Sequence, residues 1–257
     1  MTDAASAPPR APRFGSGPPP PNLERPRRVL VVGATGRLGV AIARALAKRG
    51  DAVAITARDA AKLDDLADEI AEIGQRPRVL CVDLLDRDAP ERIAGELLRT
   101  GGVDDVVLAC GPFPRTPLDE LRREDLERTL TVHAIAPLLL VNALAVELGR
   151  RSGAVVALAD AGVSRPYENH VAYLTAKGAL QTGLRALAVE LAPHVRVNLI
   201  ALGIVTDAEA DADPLRTHRL ATRSPLGRFG TPAEVVHAVL ALLDATWSTG
   251  EIWGIGR

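Results

Sequence analysis

From Arg28 onward, short runs of β-branched and apolar residues alternate with longer stretches of helical period, and this alternation restricts the fold more than any single motif. The strand candidates are RVLVVG (28–33), AVAIT (52–56), RVLCVD (78–83), DDVVLAC (104–110), GAVVALAD (153–160), VRVNLIAL (195–202) and GEIWGIG (250–256). Between them apolar side chains recur at helical spacing, as at Leu38, Ile42, Ala45 and Leu46. Strand and helix in strict turn imply parallel strands joined by crossover helices. A last helix is expected from TPAEVVHAVLALL, with Thr231 as N-cap, Pro232 in the first turn and Glu234 closing a capping box. The expectation is one α/β domain over 28–257, a doubly wound sheet of seven parallel strands with helices on both faces. Ligands of such sheets lie beyond the carboxyl ends of the strands.

Composition supports this and excludes other classes. In a chain of 257 residues, 47 % hydrophobic content suffices for one large core. A formal charge of −1 gives no reason to expect nucleic acid or an anionic membrane as partner. Residues 1–27, rich in Pro and Arg, read as a disordered extension and contain no apolar core of a signal peptide. The most apolar later stretch, AIAPLLLVNALAVELG, carries Asn142 and Glu147 and reads as a buried or interface helix, not a membrane span. Cys81 and Cys110 lie in strand-like runs and read as core thiols, which fits a reducing cytoplasm.

The first strand runs into GATGRLG, a turn of Gly33, Gly36 and Gly39 before a helix. Bare backbone there lets phosphate oxygens approach the helix N-terminus, as in the dinucleotide turns of Rossmann-type sheets. The second strand ends at Ala57 and Arg58, with no acid to hold a ribose diol and a cation to accept an additional phosphate. That favours NADP(H), with Asp59 left to cap a helix. Asp83, ending the third strand candidate, either meets the adenine amino group or caps the next helix.

The chemical end centres on YLTAK. Tyr173 and Lys177 stand one helical turn apart, on one face. A phenol with an ordinary pKa near 10 cycles its proton at neutral pH only if a cation stabilises the phenolate, and Lys177 is that cation. Thirteen residues before Tyr173 stands Asp160.

These features, together with VRVNLIALGIVT and PLGRFGTPAEV, resemble the short-chain dehydrogenase/reductase family over residues 28–257. The resemblance implies hydride transfer from a nicotinamide, with Tyr173 as general acid and Lys177 holding the nicotinamide ribose while lowering the tyrosine pKa. It implies cofactor contacts from Thr35, Leu38, Gly203 and Val205 as well, and a homodimer or homotetramer formed through helices near 119–149 and 169–192. Asp160 replaces the family's usual serine, Arg37 its usual glycine, and His133 its usual helix asparagine. Arg37 with Asp160, and Phe113 in GPFPRTPL, are similar to the pteridine reductase and dihydromonapterin reductase subgroup.

The substitution has a chemical logic. A carboxylate opposes the charge that grows on a ketone oxygen, but can accept hydrogen bonds from pterin nitrogens or pass a proton through Tyr173. Phe113 would stack on a flat substrate, and Arg37 would touch both phosphate and substrate. His133 either joins a proton relay to Lys177 or bonds a backbone carbonyl. The loop 206–223, with Asp207, Glu209, Asp211 and Asp213, reads as a mobile lid and not as a metal cluster. The expected activity is NADPH-dependent reduction of a pteridine by Tyr173, Lys177 and Asp160. The alternatives are a carbonyl reductase and a non-catalytic NADP(H)-binding sensor or scaffold.

Overall fold

The computed structural model describes residues 26–206, 218, 220–222 and 224–256. The strand candidates form β1 (Arg28–Val32), β2 (Ala52–Ala57), β3 (Arg78–Cys81), β4 (Asp105–Leu108), β5 (Ala154–Asp160), β6 (Arg196–Leu202) and β7 (Ile252–Ile255). Their spatial order is β3-β2-β1-β4-β5-β6-β7, and every neighbouring pair is parallel. The order reverses between β1 and β4, which opens a crevice at their carboxyl ends.

Helices α1 (Arg37–Arg49), α2 (Ala60–Ile73), α3 (Ala89–Arg99), α4 (Arg123–Leu130), α5 (Ala136–Arg150), α6 (Val171–Leu191) and α7 (Pro232–Asp244) cover both faces. Alternation along a strand sends successive side chains to opposite layers. Leu30 and Val32 join Leu97, Leu140 and Leu184 on one side, whereas Val29 and Val31 join Ile42, Leu46 and Val239 on the other. Strands buried on both faces account for the unbroken apolar runs of the sequence. The capping box at α7 is present: Thr231 Oγ1 accepts from the Glu234 amide, and the Glu234 carboxylate accepts from the Thr231 amide.

The helical stretch Arg123–Arg150 is long and apolar enough by composition to span a bilayer, but half of its most apolar window is buried in the fold. Inside it, Thr131–Ile135 forms one π-helical turn. Pro137 has no N–H to give the carbonyl of His133, and the helix widens there.

Three expectations require correction. Cys81 is exposed, because β3 is an edge strand. Asp83 lies beyond the end of β3 and does not cap α3; its Oδ1 accepts from the Leu85 amide in a local turn, and Asp88 occupies the N-cap position. Arg27 is buried, with a bidentate pair to Asp105 at 2.7 and 2.9 Å, so the fold starts before Arg28. Residues 1–25 of the expected tail and most of the expected lid, including Asp207, Glu209, Asp211 and Asp213, lie outside the described residues.

Candidate active site

The loops that follow β1, β2, β4, β5 and β6 bring most of the candidate residues to one edge of the sheet. The β1–α1 turn is held close by its glycines. Gly33 has φ +79°, and a side chain there would strike the backbone of Ala109 and Cys110. A Cβ on Gly39 would lie 2.2 Å from the Gly33 carbonyl oxygen, so only glycine lets α1 pack onto the turn. Gly36 is the N-cap of α1 and offers no side chain to the first-turn amides. Thr35 precedes it, and a helix N-terminus without a side-chain cap, at the carboxyl end of β1, fits a dinucleotide's phosphates. Leu38, partly buried, packs its side chain against the core from the first turn of α1.

Arg37 donates to the Val205 carbonyl oxygen at 2.5 Å, which draws the Gly203–Val205 turn over the glycine turn. A Cβ on Gly203 would lie 1.9 Å from the Gly256 carbonyl oxygen, so this turn also depends on a bare backbone. Arg58 is exposed just beyond β2 and has no ion-pair partner among the described residues. Asp59 does cap α2, its carboxylate accepting from the Lys62 amide at 3.2 Å. No acid at the end of β2 therefore remains to hold a ribose diol.

On the chemical side, Tyr173 and Lys177 leave α6 on the face turned toward β5 and are 8 % and 6 % exposed. Lys177 Nζ donates to the Leu158 carbonyl oxygen at 2.8 Å and lies 5.7 Å from the Tyr173 ring centroid. Burial pulls the lysine below its ordinary pKa. Asp160 ends β5 and caps the turn Ala161–Val163: its Oδ1 accepts from the Gly162 amide at 2.7 Å. Its Oδ2 accepts from the Tyr173 hydroxyl at 3.0 Å. The Tyr173 phenol is therefore raised above its ordinary pKa, by burial first and then by the Asp160 carboxylate. The direction is opposite to the lowering expected from Lys177. In this geometry Tyr173 holds its proton.

Phe113 follows β4 in an aromatic group the sequence reading only partly anticipated. It is 58 % exposed, stacks on His170 with centroids 4.1 Å apart, and meets the Tyr173 ring edge-on at 4.8 Å. Two histidines clip its loop. His133 Nε2 pairs with the Pro112 carbonyl oxygen at 2.9 Å, and His170 Nδ1 with that of Pro114 at 2.8 Å. Burial, then Lys177, drives His133 down to about 3, so the ring is neutral and Nε2–H is the donor. Its Nδ1 is buried with no partner among the described residues. The observed bond is to a backbone carbonyl, the second of the two readings of His133.

Tyr167 and His170 were missed. Tyr167 also donates to Asp160 Oδ2, at 3.2 Å. The one available signal was scarcity: the chain has two tyrosines, and they stand six residues apart. Among the described residues no cluster of His, Cys, Asp and Glu could hold a metal.

A family model described as enoyl-(acyl carrier protein) reductase matches residues 33–255. L-xylulose reductase of Homo sapiens is 34 % identical over 224 residues, 85 % of this chain and 89 % of that protein. D-erythrulose reductase of Gallus gallus is 33 % identical over 226 residues, 86 % of this chain and 89 % of that protein. Among solved structures, the NADPH-bound short-chain oxidoreductase of Pseudomonas aeruginosa PAO1 containing an atypical catalytic center is 28 % identical. It superposes with a TM-score of 0.81 over 89 % of this chain and 95 % of that one.

Proposed function

The chain belongs to the short-chain dehydrogenase/reductase family and is an oxidoreductase; from that premise we propose that it reduces the carbonyl of a small hydroxylated ketone of keto-sugar type with NADP(H). The observation that carries the reading is the buried Tyr173, its hydroxyl on Asp160 and Lys177 one helical turn away on the same face of α6. The substrate class follows the named activities of the relatives, which reduce L-xylulose and D-erythrulose. The cofactor choice rests on Arg58 and the absence of an acid at Ala57, and NADPH is bound in the 28 % identical relative.

When bound, the nicotinamide supplies the hydride. Gly33, Gly36 and Gly39 would clear the approach to the α1 amides for its phosphates, Arg58 would meet the additional phosphate, and the Gly203–Val205 turn would flank them. Lys177 would hold the nicotinamide ribose. Tyr173 gives its proton to the carbonyl oxygen as negative charge develops there, and the Lys177 charge supports the phenolate that results. Burial and Asp160 keep the phenol protonated before a substrate arrives, the form that a proton donor needs.

The pteridine reading retains one specific support, the exposed Phe113 ring beside Tyr173 and the Asp160 carboxylate. The relatives weigh toward ketones. We also propose a homo-oligomer, on the exposed Ile135, Leu139 and Val146 along one long helix. Steady-state oxidation of NADPH and of NADH with L-xylulose, D-erythrulose, simple ketones and dihydropterins tests the assignment. Ketone turnover with a preference for NADPH supports it; turnover of dihydropterins alone returns the site to the pteridine reading.

A further inference from the structure

We propose that Tyr167 is a second hydrogen-bond donor to the reacting oxygen of the substrate, supplying the O–H that a carboxylate at position 160 cannot; the inference rests on the carbonyl-reductase reading above. Asp160 is tied down by its own surroundings. Its Oδ1 is taken by the Gly162 amide, and its backbone carbonyl accepts from Gln181 Nε2 at 3.3 Å. Only Oδ2 is left to the hydroxyl groups of the site, and both phenols of the chain donate to it, Tyr173 at 3.0 Å and Tyr167 at 3.2 Å. Two O–H groups therefore converge on one point.

Tyr167 is held in that aim by packing. A Cβ on Gly162 would lie 2.2 Å from Tyr167 Cε1, so the ring lies against bare backbone. It also meets His170 edge-on at 5.3 Å and Phe113 at 6.1 Å. The phenol loses little freedom when it binds a ligand, and its partner is chosen by what occupies the convergence point.

A ketone that reaches Tyr173 must take that phenol's O–H away from Oδ2. Its oxygen has two lone pairs, and the Tyr167 O–H reaches the same region. During reduction the hydride adds to the carbonyl carbon, the C=O π pair moves to oxygen, and the Tyr173 proton completes the alcohol. Tyr167 keeps its proton and only donates a hydrogen bond. With one donor the growing charge would set a single phenol against the Asp160 carboxylate; with two, a pair of O–H dipoles is set against it, and paired donors are what stabilise an oxyanion.

The test is a double-mutant cycle on the best ketone, measured at saturating NADPH, with Tyr167→Phe in the wild-type and Asp160→Ser backgrounds. In the wild-type background Tyr167→Phe is expected to lower kcat by about 100-fold or more with KM little changed. In the Asp160→Ser background the serine hydroxyl takes over as donor, and the same change is expected to cost less than about tenfold. Equal losses in both backgrounds, or a loss confined to KM, overturn the proposal.

A substrate-free readout accompanies it. With only two tyrosines, Tyr173→Phe leaves Tyr167 as the sole phenol, and its ionisation is followed by ultraviolet absorbance. Asp160→Ser in that variant should move the Tyr167 midpoint down; an unmoved midpoint overturns the contact on which the proposal stands. Ketone turnover that Tyr167→Phe leaves intact overturns the Tyr167 role alone. An absence of ketone turnover in the wild type overturns the carbonyl reading and the Tyr167 role together.

Discussion

At the scale of single residues, the site is organised by what each polar atom has left to bond. Asp160 looks in the sequence like a substrate group, but its first commitment is to its own backbone turn, and its second is to two phenols. His133 is likewise spent on holding the Pro112 carbonyl. The histidine makes a prediction about stability. With a folded pKa lowered from 6.5 to about 3, neither state binds this proton above about pH 6.5 and the group has no pH effect there. Between about 6.5 and about 3 the unfolded chain takes a proton that the native chain refuses, so stability falls with acidification, by at most ~1.4 kcal/mol per pH unit. Urea unfolding from pH 7 to pH 5 is therefore expected to show the wild type losing more stability than His133→Asn. Parallel losses would mean the ring is not buried neutral. Tyr173 and Lys177 were legible in the sequence because their spacing is fixed by helix geometry. Tyr167 was not, since its aim depends on a loop fold that no spacing rule encodes.

At the scale of elements, periodicity read out the strands and helices because both faces of the sheet are apolar, so that burial and sequence pattern coincide. It failed where local bonding decides. The π turn at Thr131–Ile135 adds a residue to a helix whose apolar pattern hardly changes, and the exposure of Cys81 follows from strand order, which alternation leaves open. Cap chemistry was readable, since it is local: Thr231 and Glu234 pair as their spacing requires. Thr231→Ala should cost about 1 kcal/mol in urea unfolding, by freeing the Glu234 amide of its side-chain partner, with kcat unchanged. A cost near zero would show that water replaces the cap without loss.

At the scale of the whole molecule, the carboxyl edge of the sheet carries the chemistry and the opposite edge carries the clamp that fixes strand order. There Asp105 accepts from Arg27 and from the Ala154 amide, joining the start of the chain's fold to β4 and β5. Both partners are buried, so Asp105→Ala leaves an uncompensated guanidinium and should destabilise the protein by about 3–5 kcal/mol. Urea unfolding measures it, and a loss under about 1 kcal/mol would mean that Arg27 escapes to solvent. The fold and the glycine turn were thus legible, whereas the aromatic group around Tyr173 was not, because it is built by loops that follow β4 and β5. The central claim is that Tyr173 is the proton donor of a ketone reductase. Its most direct test is NADPH oxidation by wild type and Tyr173→Phe with L-xylulose and D-erythrulose, alongside NADPH binding followed by fluorescence. The account predicts ketone-dependent oxidation in the wild type, a fall of about 100-fold or more in the variant, and NADPH binding kept in both. A variant that reduces the ketone as fast as the wild type would contradict it.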